Sequence, residues 1–225
     1  MKLKVPAVCL EGVDGCGKSS IASELSRLII KKSKGSIVPI IVQDPGAAPL
    51  SQELRKLLMR EKVSFNLGSL LFTAARCATV EMLMGKYPPY QQYNLFFIFD
   101  RWLLSTYVYQ AQGDLRKNAL VSELSKNHKT DTGCPFTPVA DMQYLFIDTP
   151  PHICFERRKA KAESKGDVFD SGCIDEYNKR YSLYLSYTSQ TSFTHLGYAK
   201  QKPLPVQPMG SATDIAEDIL TMVGG

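Results

Sequence analysis

The chain has 225 residues, 44% hydrophobic and 22% charged, and carries a formal net charge of +5. These values fit one globular domain with a full core, and a charge this small suits anionic phosphates without arguing for nucleic-acid binding. We read no run as a membrane span and no secretory leader, since Glu11 stops the short apolar stretch near the N-terminus.

In chain order, residues 5–10 read as a buried strand and residues 20–30 as an amphipathic helix. Between them Gly12-Val13-Asp14-Gly15-Cys16-Gly17-Lys18-Ser19, followed by Ser20, fits G-x-x-x-x-G-K-[ST]. In that loop backbone N–H groups wrap nucleotide phosphates above a helix N-terminus. Lys18 would reach the β- and γ-phosphates and Ser19 would ligate Mg²⁺. Cys16, at the start of a helix, has either an acidified thiol or simply a small side chain, and we favour the second. Residues 37–42 read as a strand that Pro39 assigns to an edge. Residues 51–60 and 67–84 have helical period.

On the second of these helices Phe72 and Arg76 are four residues apart and share a face. One can stack on a base. The other can only donate hydrogen bonds, which favours a carbonyl such as O4 of thymine or uracil. Residues 95–99 form a third strand, followed by Asp100 and Arg101, and residues 144–147 a fourth, followed by Asp148. Residues 112–140 are a polar insert with a helix over 118–125. Asn127 to Asp131 only superficially matches a guanine-reading motif, being one residue too long. Arg157, Lys161 and Lys165 fall on one helical face of a strongly basic stretch, which we read as a lid over about residues 156–170. Residues 212–223 form a last amphipathic helix.

Six scattered cysteines without a C-x-x-C pair read as reduced, and His128, His152 and His195 show no metal-ligand spacing. The expected architecture is α/β: a P-loop three-layer α/β/α fold, with a parallel sheet, helices on both faces and a basic lid. It forms one domain over residues 1–225.

Five segments in order resemble the thymidylate kinase (dTMP kinase) family of P-loop nucleoside monophosphate kinases. They are LEGVDGCGKSS, QDPGAAPLSQELRKLL, LLFTAARCATVE, FDRWLLSTYVYQ and YLFIDTPPHICFERRKAKAE. The resemblance implies transfer of a phosphoryl group from ATP to dTMP with Mg²⁺, in a cytoplasmic homodimer with no nucleic-acid or membrane partner. It implies that Lys18 binds ATP phosphates, that Asp14 contacts the acceptor sugar, and that Phe72 and Arg76 hold thymine. Arg101 would hold the acceptor phosphate, and Asp100 would stand beside the metal with Ser19. Thr106 and Gln110 would read the base edge, and Tyr109 would crowd the sugar 2′ position. Arg157 and Lys161 would bridge donor and acceptor from the lid. One branch of the family has arginine where this chain has Gly15.

The chain departs from the family pattern at Gln43, Ala75, Trp102, Lys161 and Val168. Those departures leave open a kinase of the same fold with another acceptor: another or modified pyrimidine deoxynucleotide, or a nucleoside. A non-catalytic nucleotide-binding protein is the reading from a different class.

Overall fold

The computed structural model describes residues 5–87, 94–125, 142–165, 173–189, 203–207 and 210–224. Strands β1 (Ala7–Glu11), β3 (Leu95–Asp100) and β4 (Gln143–Ile147) are almost wholly buried. Their continuous apolar runs reflect a place inside a parallel sheet covered on both faces. With β2 (Val38–Gln43) and β5 (Leu204–Val206) they form a five-stranded parallel sheet in the order β2-β3-β1-β4-β5. β2 lies at an edge, where Pro39 pairs opposite Phe96 without disturbing an inner ladder. β5, at the other edge, is only three residues long and contains Pro205, so no alternating pattern announces it.

The chain moves from β1 to β2 in one direction across the sheet and in the other direction for every later crossover. Right-handed connections therefore put α1 (Lys18–Ser33) on one face and the following helices on the other. The terminal helix α8 (Ala212–Val223) packs on α1. The opposite layer holds α2 (Pro49–Arg60), α3 (Phe65–Lys86), α5 (Leu115–Ser125), α6 (Pro151–Lys165) and α7 (Ile174–Ser189). Between β3 and α5, the short α4 (Leu103–Thr106) runs into a π-helical turn, Tyr107–Ala111.

Capping explains where several helices start. Pro49 opens α2 from its first turn, and the Ser64 hydroxyl accepts the Leu67 N–H at the head of α3. Ser211 and Asp214 form a capping box at α8. Asp114 accepts the N–H groups of Arg116 and Lys117, which starts α5 three residues before the expected 118.

One expectation is corrected. α3, 22 residues long, is long and apolar enough to cross a membrane by length and composition alone. Small residues such as Ala74, Ala75, Cys77 and Ala78 raise its mean hydropathy, while Arg76 and Glu81 break any unbroken apolar run. Residues 126–141, which include Asn127 to Asp131, lie outside the described residues, as do His128, Cys134 and His195.

Candidate active site

Strand register assembles the site. Leu10 pairs with Asp100 across β1 and β3, and Gln43 pairs with Asp100 across β2 and β3. The segments leaving these strand ends, Gly12–Ser19, Asp100–Arg101 and Gln43–Pro45, therefore converge at the carboxyl edge of the sheet, where ligands bind in open α/β folds. They open onto a cleft of about 660 Å³. Lys18, Arg55, Arg76, Arg101, Arg157, Arg158 and Lys161 line it, against Asp14, Asp44 and Asp100. Seven cations facing three carboxylates favour an anionic ligand.

In the phosphate loop, Lys18 donates to the carbonyls of Gly12 and Val13, each at 3.0 Å. The Ser19 hydroxyl donates to Asp100 Oδ2 at 2.6 Å. The loop leaves no room for side chains at its turns. A β-carbon on Gly12 would stand 2.8 Å from the Cys16 sulfur, and one on Gly15 would collide with the Cys154 carbonyl oxygen of α6. Gly15 also has φ of +90°, which only glycine adopts without strain. The buried Cys16 thus fills a small gap, as the sequence suggested, and receives a 3.4 Å contact from the Lys18 ammonium.

Arg101 sits at φ +72°, a conformation rare outside glycine, and both of its Nη atoms are engaged. Nη2 donates to Asp14 Oδ1 at 2.6 Å and to the Tyr109 hydroxyl at 3.2 Å. Nη1 donates to Ser105 at 2.9 Å and to Tyr184 at 3.2 Å. Tyr109 donates in turn to Asp14 Oδ2 at 3.1 Å and accepts the Asp14 N–H at 3.2 Å. Burial alone would raise the Asp14 carboxyl. The charges of Arg101 and Lys18, with hydrogen bonds from Arg101 and Tyr109, outweigh it and hold the group well below the usual carboxylate range. Burial and the neighbouring Asp14 charge push the Tyr109 phenol up despite Arg101, so it stays a donor.

Glu11, which carried no role in the sequence reading, underlies this cluster. It is fully buried and accepts from the Trp102 N–H (2.8 Å), the Ser105 hydroxyl (2.5 Å) and the Tyr184 hydroxyl (3.2 Å). Burial pushes its carboxyl up, against Arg101 and these hydrogen bonds. A charged residue closing an otherwise apolar strand was the available signal.

Phe72 and Arg76 do face the cleft together, the guanidinium carbon lying 5.9 Å from the ring centroid. Arg76 is nevertheless more committed than its spacing suggested. Nε and Nη2 are held by Asp44 Oδ2 at 2.8 and 2.7 Å, and Nη2 also donates to the Trp102 carbonyl at 3.2 Å. The pair is almost completely buried. Burial pushes the Asp44 carboxyl up, and Arg76 opposes that. Thr106 and Gln110 line the same cleft.

The basic stretch is the body of α6, and Arg157, Arg158 and Lys161 reach the cleft from it. Residues 166–172 and the Lys165 side chain lie outside the described residues. Asp148 ends β4 at the same edge but is held by Tyr181 (2.6 Å) and Gln207 (2.7 Å). Two further parts of the lining escaped the sequence reading. They are Arg55, which donates to the Pro45 carbonyl at 2.8 Å, and the head of α8 with Gly210, Ala212 and Ile215.

No group of three or more His, Cys, Asp and Glu poised for a metal occurs among the described residues. The Ser19–Asp100 pair instead fits Mg²⁺, which is commonly held by few protein oxygens together with phosphates and water.

Comparison with known proteins agrees with this geometry. A family model described as thymidylate kinase matches residues 10–195. The chain is 32% identical over 182 residues to the thymidylate kinase of Thermosipho africanus, covering 78% of this chain and 84% of that protein. It is 30% identical to that of Burkholderia vietnamiensis, over 77% and 82% of the two chains. It is 32% identical to that of Dinoroseobacter shibae, over 70% and 71%. With the phosphate loop, the Asp100–Arg101 strand end and the basic helix gathered on one cleft, the chain belongs to the thymidylate kinase family.

Proposed function

We propose that the protein transfers the γ-phosphoryl group of ATP to dTMP, giving dTDP and ADP. The observation that carries this is one cleft lined together by the phosphate loop, by Phe72 and Arg76 of α3 and by Gly210, Ala212 and Ile215 at the head of α8, the helix that packs on α1. The acceptor base would stack on Phe72 and accept at O4 from Arg76, with Thr106 and Gln110 at its edge. The donor nucleoside would lie by the head of α8, and the two phosphate chains would meet above Gly12–Ser20.

In this reading Lys18 exchanges its carbonyl partners for the β- and γ-phosphates, helped by loop N–H groups. Arg101 holds the acceptor's 5′-phosphate. Asp14, kept ionised by Arg101, holds that guanidinium and contacts the sugar. The transferred phosphorus breaks its bond to the β–γ bridging oxygen and bonds an acceptor phosphate oxygen. That oxygen is already anionic, so no general base is needed. Arg157 and Lys161 balance the charge spread over the transferring group. Ser19 directly and Asp100 beside it would hold Mg²⁺, which when bound screens the phosphate charges.

We further read one kinase unit over residues 1–225, with a lid at about 156–170 and an insert at about 112–140. It is cytoplasmic, takes neither nucleic acid nor membrane as partner, and pairs as a homodimer. The free, buried thiols of Cys9, Cys16 and Cys154 support a reducing compartment. Leu50, Leu67 and Leu70, exposed on α2 and α3, support an interface between copies.

The test is a coupled ADP-release assay over a panel of nucleoside monophosphates. dTMP is expected to be the fastest acceptor, and Lys18→Ala to lose most turnover. Faster phosphorylation of dGMP or dAMP would refute the Phe72–Arg76 base site, and near-wild-type turnover by Lys18→Ala would refute the mechanism.

A further inference from the structure

We propose that Arg180, on α7, is a positioning residue that makes the enzyme discriminate deoxyribose from ribose. The inference rests on the reading above in which the Tyr109 ring faces the sugar 2′ position.

The Tyr109 ring carries two guanidinium groups. Arg101 and Arg180 each place the guanidinium carbon 4.9 Å from its centroid. Arg101 also bonds the Tyr109 hydroxyl, whereas Arg180 meets only the ring, so its contribution is to hold the plane of the aromatic group. The ring stands in the π-helical turn Tyr107–Ala111, a kind of turn frequent at functional sites, and its hydroxyl is already bonded to Asp14 and Arg101, so Arg180 adds the hold on the ring's face.

α7 is built to supply the hold. Tyr177, Arg180, Tyr181 and Tyr184 recur at helical spacing along one stripe. Each neighbour of Arg180 on that stripe is fixed. Tyr184 stacks on Phe146 with centroids 5.2 Å apart, Tyr181 donates to Asp148, and Tyr177 packs edge-on to Phe155 at 5.5 Å. Arg180 itself is tethered by Glu176 at 3.0 Å. A rotationally fixed helix thus delivers one cation to the Tyr109 ring at 4.9 Å, with its own Tyr177 ring farther off at 6.0 Å. A sugar bearing a 2′-hydroxyl can enter only if the Tyr109 ring tilts, and the cation resists the tilt.

The test compares kcat/KM for dTMP and for the ribose form of the same nucleotide in Arg180→Gln, Arg180→Lys and Arg180→Ala, with Tyr109→Ala measured alongside. Losing one cation–π contact is expected to relax the deoxy-to-ribo preference of Arg180→Gln and Arg180→Ala by about three- to tenfold. The change should sit in KM for the two acceptors, with KM for ATP unmoved. Arg180→Lys, which retains a cation, is expected to keep most of the preference. An unchanged preference in Arg180→Gln and Arg180→Ala, with Tyr109→Ala relaxed, overturns the assignment to Arg180 alone. An unchanged preference in Tyr109→Ala overturns the placement of the sugar, and the proposal with it. An equal fall in kcat for both acceptors, tracking a lower Tm, makes Arg180 merely structural and also overturns it.

Discussion

Arg101 owes its place to partners drawn from four parts of the chain: Asp14, Ser105, Tyr109 and Tyr184. The strained φ at Arg101 persists because these bonds over-determine it. Asp14 sets the electrostatics. Its carboxyl titrates lower in the folded protein than in the unfolded chain, so its contribution to stability is present above the unfolded value of about 3.9 and is lost as pH falls through the lower folded value. Thermal unfolding of wild type and Asp14→Asn should therefore show a Tm difference that holds from pH 7 to about pH 5. It should shrink only below about pH 4. Glu11 is the opposite case: burial raises it, and the carboxyl is retained for donors that include the Trp102 and Ser105 N–H groups and the Ser105 and Tyr184 hydroxyls. Glu11→Ala strands the Trp102 N–H and should destabilise by about 3 kcal/mol in urea titration. Of these residues the sequence yielded Arg101 from its place after an apolar strand, and Asp14 and Tyr109 only through the family resemblance. Glu11 and Tyr184 were illegible as a pair, because their contact spans 173 positions and no local period encodes it.

At the level of elements, the phosphate loop and α6 are a fitted pair. The space that a side chain at position 15 would need is taken by the Cys154 carbonyl and the Arg158 stem. Gly15→Ala adds overpacking to left-handed strain and should cost about 3 kcal/mol by denaturant unfolding, together with weaker ATP binding by calorimetry. The Asp44–Arg76 pair ties the end of β2 to the middle of α3. Asp44→Ala leaves a buried guanidinium without its counter-charge and should destabilise by about 3–5 kcal/mol. Elements with one clear period (α1, α2, α3, α8 and the inner strands) were readable to within a few residues. α7 was not, because tyrosines serve both as its core face and as its polar contacts. β5 was not, because three residues with a proline carry no alternation.

For the whole molecule, the strand order explains why distant motifs act together: β1 lies between β3 and β4, so their carboxyl ends share one edge. Nucleotide bound there touches both faces of the sheet, through α1 and α8 on one side and α3 and α6 on the other. A ligand spanning donor and acceptor subsites should therefore raise the stability of the whole transition rather than split it. At about 100 times Kd the gain is about 2.7 kcal/mol, visible as one sharpened, upshifted melting curve. Sedimentation equilibrium at micromolar concentration should return twice the monomer mass, and an aspartate at Leu70 should halve it. Glu11 and Tyr184 also fix an order of events during synthesis. The phosphate loop, Arg101 and Tyr109 emerge early, yet Arg101 acquires its last partner only when residue 184 has left the ribosome. A nascent chain can thus carry every motif that names its family and still lack a finished acceptor site.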